Sequence, residues 1–167
     1  MSGNPVFGWA AAVVLAGLTA WAGNRWAVPP FGWWGVAFVS PAVEEAAKTF
    51  WAMALAGGPL VILVHAGFGL VEGVKDMVAD PARTAHRGVP AVPWTPVFAA
   101  AASHLAFGAV TAVVASLVAV GTGAGAKAGS WWPWAAGALG AFALHAAWNY
   151  SLLRAMVRAK TPRKGGR

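Results

Sequence analysis

Five apolar runs, at roughly 5–22, 32–57, 60–79, 95–120 and 132–155, take up most of the chain. Each approaches or exceeds the ~20 residues that an α-helix needs to cross a bilayer. Turn-forming stretches separate them: "GNRWAVPP", "GGP", "DPARTAHRGVPAVP" and "GTGAGAKAGS". No repeat, long linker or second domain interrupts the pattern. The expected fold is all-α: a polytopic transmembrane helical bundle of about five spanning helices. It forms a single integral membrane domain over 1–167, ending in a basic tail at 156–167.

Composition agrees. Hydrophobic residues make up 59% of the chain and charged residues only 10%, with a mean hydropathy of +0.61, whereas a soluble domain is about one quarter charged. The net charge of +7 raises the question of nucleic acid. The basic residues gather at the expected membrane edges, however, and no soluble domain exists to carry a binding face, so the expected surroundings are membrane lipids and no nucleic acid. The absence of cysteine excludes disulfides and thiolate chemistry. Tryptophans 33, 34, 94, 131 and 132 fall where aromatic belts meet the membrane surface.

The basic residues also give an orientation. Arg25, Lys75, Arg83, Arg87, Arg154, Arg158, Lys160, Arg163, Lys164 and Arg167 fall on one side of a five-span layout, and only Lys127 on the other. The positive-inside rule then places the N-terminus outside and the C-terminal tail in the cytoplasm, in a multi-pass protein integral to a cell membrane. The "AWA" before Gly23 resembles a signal-peptide cleavage site, but no basic segment precedes it, and cleavage would invert every later span. "GTGAGAK" resembles a phosphate loop, yet it lacks the glycine before lysine and a preceding strand. It reads as an outer turn.

Against this background the polar residues inside the runs stand out. Glu44, Glu45, Lys48, His65, Glu72, His104, His145 and Asn149 all lie within expected spans. An ionised group at the bilayer centre costs about 2.5–3.5 kcal/mol on insertion scales. Lys48 is four residues from Glu44 and three from Glu45, so it can pair with either. Glu44 and Glu45 point about 100° apart, which lets one face the lysine and the other a cavity. Gly69 and Gly73 form a small-xxx-small pair that admits a neighbouring helix. His65 reads as a hydrogen-bonded bundle histidine near the outer surface, and His86 as a solvated loop residue. Counted from the cytoplasmic helix ends at a rise of 1.5 Å per residue, Asn149 and Glu72 lie about 9–10 Å deep, His104 and His145 about 14–15 Å, and the glutamate pair about 18–20 Å. Four helices thus place acid, imidazole and amide groups in one cytoplasm-facing layer.

Such a set suits the activation of water. A glutamate can act as general base, a histidine can hold the water, and an imidazole and an amide can donate to a developing oxyanion. In this reading the Glu44/Glu45 pair supplies the base, with Lys48 keeping the other carboxylate ionised. His104 orients the water, His145 and Asn149 stabilise the oxyanion, and Glu72 fixes a histidine tautomer. No metal is required, although Glu72, His104 and His145 are of the right types to hold a divalent ion such as zinc.

The segments "EEAAK" (44–48), "GFGLVEG" (67–73), "SHLAFGAV" (103–110) and "HAAWN" (145–149) occur in this order. Together they resemble the PrsW family of glutamic-type intramembrane proteases, related to the CAAX-prenyl proteases and bacteriocin-processing enzymes. The matching positions are Glu44, Glu45 and Lys48, then Phe68 and Glu72, then His104, then His145 and Asn149. The chain has Gly73 where the family often has asparagine. The resemblance implies an intramembrane endopeptidase acting on a single-span membrane protein, such as site-1 cleavage of an anti-sigma factor. Two other functions fit the residues: a noncatalytic membrane binding or immunity protein on the same scaffold, and a proton-coupled carrier.

Overall fold

The computed structural model describes residues 5–79, 94–123 and 130–160, and all regular structure among them is helical. The main helices are α1 (Pro5–Ala27), α2 (Ser40–Trp51), α3 (Val61–Ala79), α4 (Thr95–Thr122) and α5 (Trp132–Lys160). Two stretches, Pro5–Ala27 and Val97–Thr122, are long and apolar enough to cross a membrane. The other two long helices carry charge towards their C-terminal ends: Glu72, Lys75 and Asp76 in α3, and Arg154, Arg158 and Lys160 in α5. His86 and the rest of 80–93, 124–129 of the outer turn, and 161–167 lie outside the described residues.

The second expected span is a broken helix. A one-turn segment, Gly32–Trp34, leads into a wider π turn, Gly35–Val39, then α2, then a second π turn, Ala52–Ala56. Pro41 accounts for the first widening. Proline has no N–H to donate, and its ring crowds the carbonyl four residues back. The π turn eases this crowding, and the Ser40 N–H bonds to Gly35 O, five residues back. The second π turn closes at Gly57, whose φ of 86° suits a residue without Cβ and whose N–H lies 2.8 Å from Ala52 O. Pro59 then sits in the short turn Gly58–Leu60 that opens into α3.

α1 continues to Ala27 rather than ending near 22, and α5 to Lys160 rather than 155. The first part of the expected tail is therefore helical.

Small residues set the helix spacing. A Cβ on Gly69 would fall 2.7 Å from Ala100 O and 2.8 Å from His104 Cδ2, and one on Gly73 would fall 2.6 Å from Val97 Cα. The pair thus lets α4 lie directly on α3, as close-packed membrane helices do. Gly137 admits the Thr111 carbonyl, 2.3 Å from where its Cβ would be, and so brings α5 against α4.

The buried apolar side chains are mostly small: Ala12, Val13, Ala52, Val61 and Val64 in one cluster, and Ala16, Ala20, Ala47 and Phe68 in another. Lys48, His65 and Glu45 are among the largest fully buried side chains, while Phe7, Leu18, Phe50, Leu117 and Leu139 face outward. This is the reverse of the distribution in a water-soluble domain, where charged side chains are almost never fully buried.

Candidate functional site

The charged residues of α2 meet histidines from three other helices. Glu45 accepts hydrogen bonds from Lys48 Nζ, His65 Nε2 at 2.9 Å and His145 Nδ1 at 2.9 Å. Lys48 therefore pairs with Glu45 and not with Glu44. Its ammonium also lies 3.0 Å from His104 Nδ1 and 4.7 Å from the centre of the Phe68 ring. An ammonium can only donate, so His104 Nδ1 accepts, and the ring proton sits on Nε2. That Nε2–H donates to Glu72 Oε2 at 2.7 Å. The result is one connected network from Glu72 through His104 and Lys48 to Glu45, with His65 and His145 bound to the same carboxylate. Phe68 packs edge-on against His104 with ring centres 5.3 Å apart.

The pairing answers an energetic need. Lys48 is 0% exposed and Glu45 only 1%. Removing both charges from water costs several kcal/mol per ion by rough estimate, and only good geometry with further hydrogen bonds offsets it. Glu45 has three donors around its two oxygens, and Lys48 reaches both a carboxylate and an imidazole.

Glu44 has a different environment. Its Oε1 accepts from Ser40 Oγ at 2.7 Å and from Asn24 Nδ2 at 3.1 Å. Its Oε2 is approached by His145 Nε2 at 3.9 Å. His145 thus bonds Glu45 through Nδ1, and its Nε2 lies on the Glu44 side beyond hydrogen-bond distance. Glu44 and Glu72 line a common cavity of about 340 Å³ between α1, α2 and α3, together with Asn24, Arg25, Trp21 and Lys75. The Glu72 side chain is 30% exposed, so this cavity opens to the outside of the helix bundle.

Of the residues singled out from the sequence, the structure brings together Glu44, Glu45, Lys48, Phe68, Glu72, His104 and His145. Asn149 is placed elsewhere: its Nδ2 donates to Val36 O at 3.2 Å, serving the first π turn. His104, expected to orient water, has both ring nitrogens engaged by Lys48 and Glu72. Two residues of the site, Asn24 and Ser40, are not read from the sequence, and His65 reads there as a bundle histidine apart from it. His65 is hydrogen-bonded within the bundle as expected, but it is fully buried on Glu45 as part of the network, and its Nδ1 donates to Val61 O at 2.9 Å.

Two sets of residues offer metal-ligating atoms within 4.8 Å of one another: Glu45, His104 and His145, and Glu44, Glu72 and His104. Neither is the Glu72–His104–His145 set expected from residue types. The Lys48 ammonium is bonded to Glu45 and lies against His104, so it holds two of the donor groups in the first set. In the second, His104 has no free ring nitrogen. The residues present fit an internal ammonium better than a divalent ion. No family model, curated protein or solved structure matches this chain.

Proposed function

We propose that the chain is a five-span integral membrane protein and an intramembrane endopeptidase of the PrsW type, with Glu44 as general base. The observation that carries this reading is the division of labour within the glutamate pair. Glu45 is saturated with donors and fully buried, whereas Glu44, bonded at Oε1 alone, lines an open cavity that Glu72 also lines. Ser40 and Asn24 fix Glu44 Oε1, which leaves Oε2 to take a proton from water. The hydroxide so formed attacks a peptide carbonyl held in the cavity, and Glu44 then returns the proton to the leaving amine. His145 is oriented by Glu45 through Nδ1, as the carboxylate orients the histidine in serine-protease triads. When protonated, its Nε2–H lies on the Glu44 side and donates to the developing oxyanion. Glu72, held by His104, shapes the other wall. Lys48 supplies the positive charge that keeps Glu45 ionised. The proposed substrate is a single-span membrane protein cut near the membrane surface. No metal takes part in these steps.

The test is incubation of the purified protein, reconstituted in liposomes, with single-span membrane proteins. Wild type should cleave at one position, and Glu44→Gln should not. Cleavage that survives Glu44→Gln removes the assignment. A carrier reading draws on one observation, the unbroken hydrogen-bond chain from Glu72 to His65. Proton-gradient-driven solute uptake by liposomes holding the Glu44→Gln variant would favour it over the peptidase.

A further inference from the structure

The cavity that Glu44 and Glu72 line carries both signs of charge. The carboxylates sit on its inner wall, and the cations Arg25 and Lys75 line it nearer the helix ends. Lys75 is three residues beyond Glu72 on α3, so it shares that face about 4.5 Å further along the axis. Arg25 follows Asn24, whose amide touches Glu44, and its guanidinium lies over the Trp21 ring at 5.9 Å from the centroid. No carboxylate pairs with Arg25 among the described residues. Among the described residues the ion pair of Lys75 is with Asp76, at 3.5 Å, with both side chains 64% exposed. Exposed pairs of this kind hold their partners weakly, typically by under ~1 kcal/mol. Two cations and two anions thus line one cavity of about 340 Å³.

From this arrangement we propose that the cavity recognises a carboxylate on the substrate, placed within about three residues of the scissile bond, with Arg25 and Lys75 as the specificity-determining residues. The inference rests on the peptidase reading of the same cavity. An extended peptide advances about 3.3 Å per residue. With its carbonyl beside Glu44, a residue one to three positions away therefore reaches the cationic end. The sign of the preference follows from position. An anion nearer the inner wall would be repelled by Glu44 and Glu72, and one at Arg25 and Lys75 is attracted. Arg25 offers a planar fork suited to carboxylate geometry, already oriented by Trp21. The carboxylate has two sources, an acidic side chain or a free C-terminus, and the two are separable.

Binding is measured on Glu44→Gln protein in phosphatidylcholine nanodiscs, so that turnover does not intrude. The probes are synthetic peptides with one apolar membrane-spanning stretch and a juxtamembrane segment that is acidic (Asp-Glu) or neutral (Asn-Gln). Each is made with an amidated and with a free C-terminus. The acidic, amidated peptide should bind at least tenfold more tightly than the neutral, amidated one. That advantage should fall to under twofold in the Arg25→Gln/Lys75→Gln background and shrink as salt rises. A tenfold gain confined to the free-acid peptides, and lost in the same double variant, assigns the carboxylate to the C-terminus. Equal binding of all four peptides, no binding of any, or a preference that survives the double variant would overturn the proposal. So would a preference that appears only when phosphatidylglycerol is added, since this would make the cations lipid contacts. A carboxylate preference without cleavage by wild type would keep Arg25 and Lys75 as a carboxylate-binding pair and remove the peptidase reading, and with it the placement relative to a scissile bond.

Discussion

Glu44 and Glu45 are adjacent and chemically identical, yet the structure gives them different surroundings, and two substitutions separate them. Glu44→Gln should keep the fold, because Ser40 and Asn24 can still bond the amide oxygen, while activity falls by about a hundred- to ten-thousandfold, as expected when a general base is lost. Glu45→Gln leaves Lys48 without its carboxylate, and breaking a buried pair this way costs about 3–5 kcal/mol. It should lower the unfolding temperature in detergent, measured by light scattering or tryptophan fluorescence. Equal thermal stability of the two variants would contradict the assignment. Lys48 carries a second prediction. Lys48→Ala frees Glu45, His104 and His145 as a three-residue site, so the variant should be destabilised without metal and regain stability with cobalt, with visible absorption of a ligated ion. Wild type should show neither effect.

His65 marks the limit of reading single residues. Taken alone it reads as a hydrogen-bonded bundle histidine near the outer surface, apart from the site. The same depth count that gathered the other groups puts it about 21 Å from the end of α3, level with Glu45, and that is where the two meet. His65→Ala should therefore cost roughly 1–3 kcal/mol, because Glu45 Oε2 loses a buried donor. Asn24 offered no such signal. It lies at the end of α1 in a stretch that reads as a turn, and only the longer helix carries its amide to Glu44.

At the scale of elements, α3 and α4 are legible because spacing and chemistry coincide. Gly69 and Gly73 lie on the face that must admit α4, and His104 arrives on that contact four residues after Ala100. Gly69→Ala should be costly for a methyl group. The new Cβ would meet the Ala100 carbonyl at 2.7 Å and His104 Cδ2 at 2.8 Å, and overpacking of this kind costs about 1–3 kcal/mol. Because the strain falls on His104, turnover should drop along with stability, whereas Gly121→Ala, with open space beside it and away from the cavity, should change neither. Similar loss from both substitutions, in a paired stability and cleavage assay, would show that helix propensity and not contact decides. The break in the second span was written in Pro41 but overlooked, since an apolar run that contains proline still reads as continuous. The π turn it produces exposes the Val36 carbonyl, and that carbonyl draws the amide of Asn149 away from the histidines.

For the whole molecule, the asymmetry of charge makes a statement about which side of the membrane the site faces. In the proposed five-span layout ten basic residues fall on the side of the C-terminal tail and one on the other. The cavity opens among two of those ten, Arg25 and Lys75, so its mouth and the tail should share a compartment. A chain with no cysteine of its own makes the test clean. Ser2→Cys, Lys75→Cys and Gly166→Cys are introduced singly, and intact cells are treated with a membrane-impermeant maleimide before and after permeabilisation. Ser2→Cys should label in intact cells. Lys75→Cys and Gly166→Cys should label only once the membrane is opened. Labelling of all three in intact cells would mean the chain does not span as proposed. Labelling of Gly166→Cys but not Ser2→Cys would invert the molecule. The Glu44 cavity would then face outward, and the acidic segment it recognises would have to be sought on the outer side of the substrate.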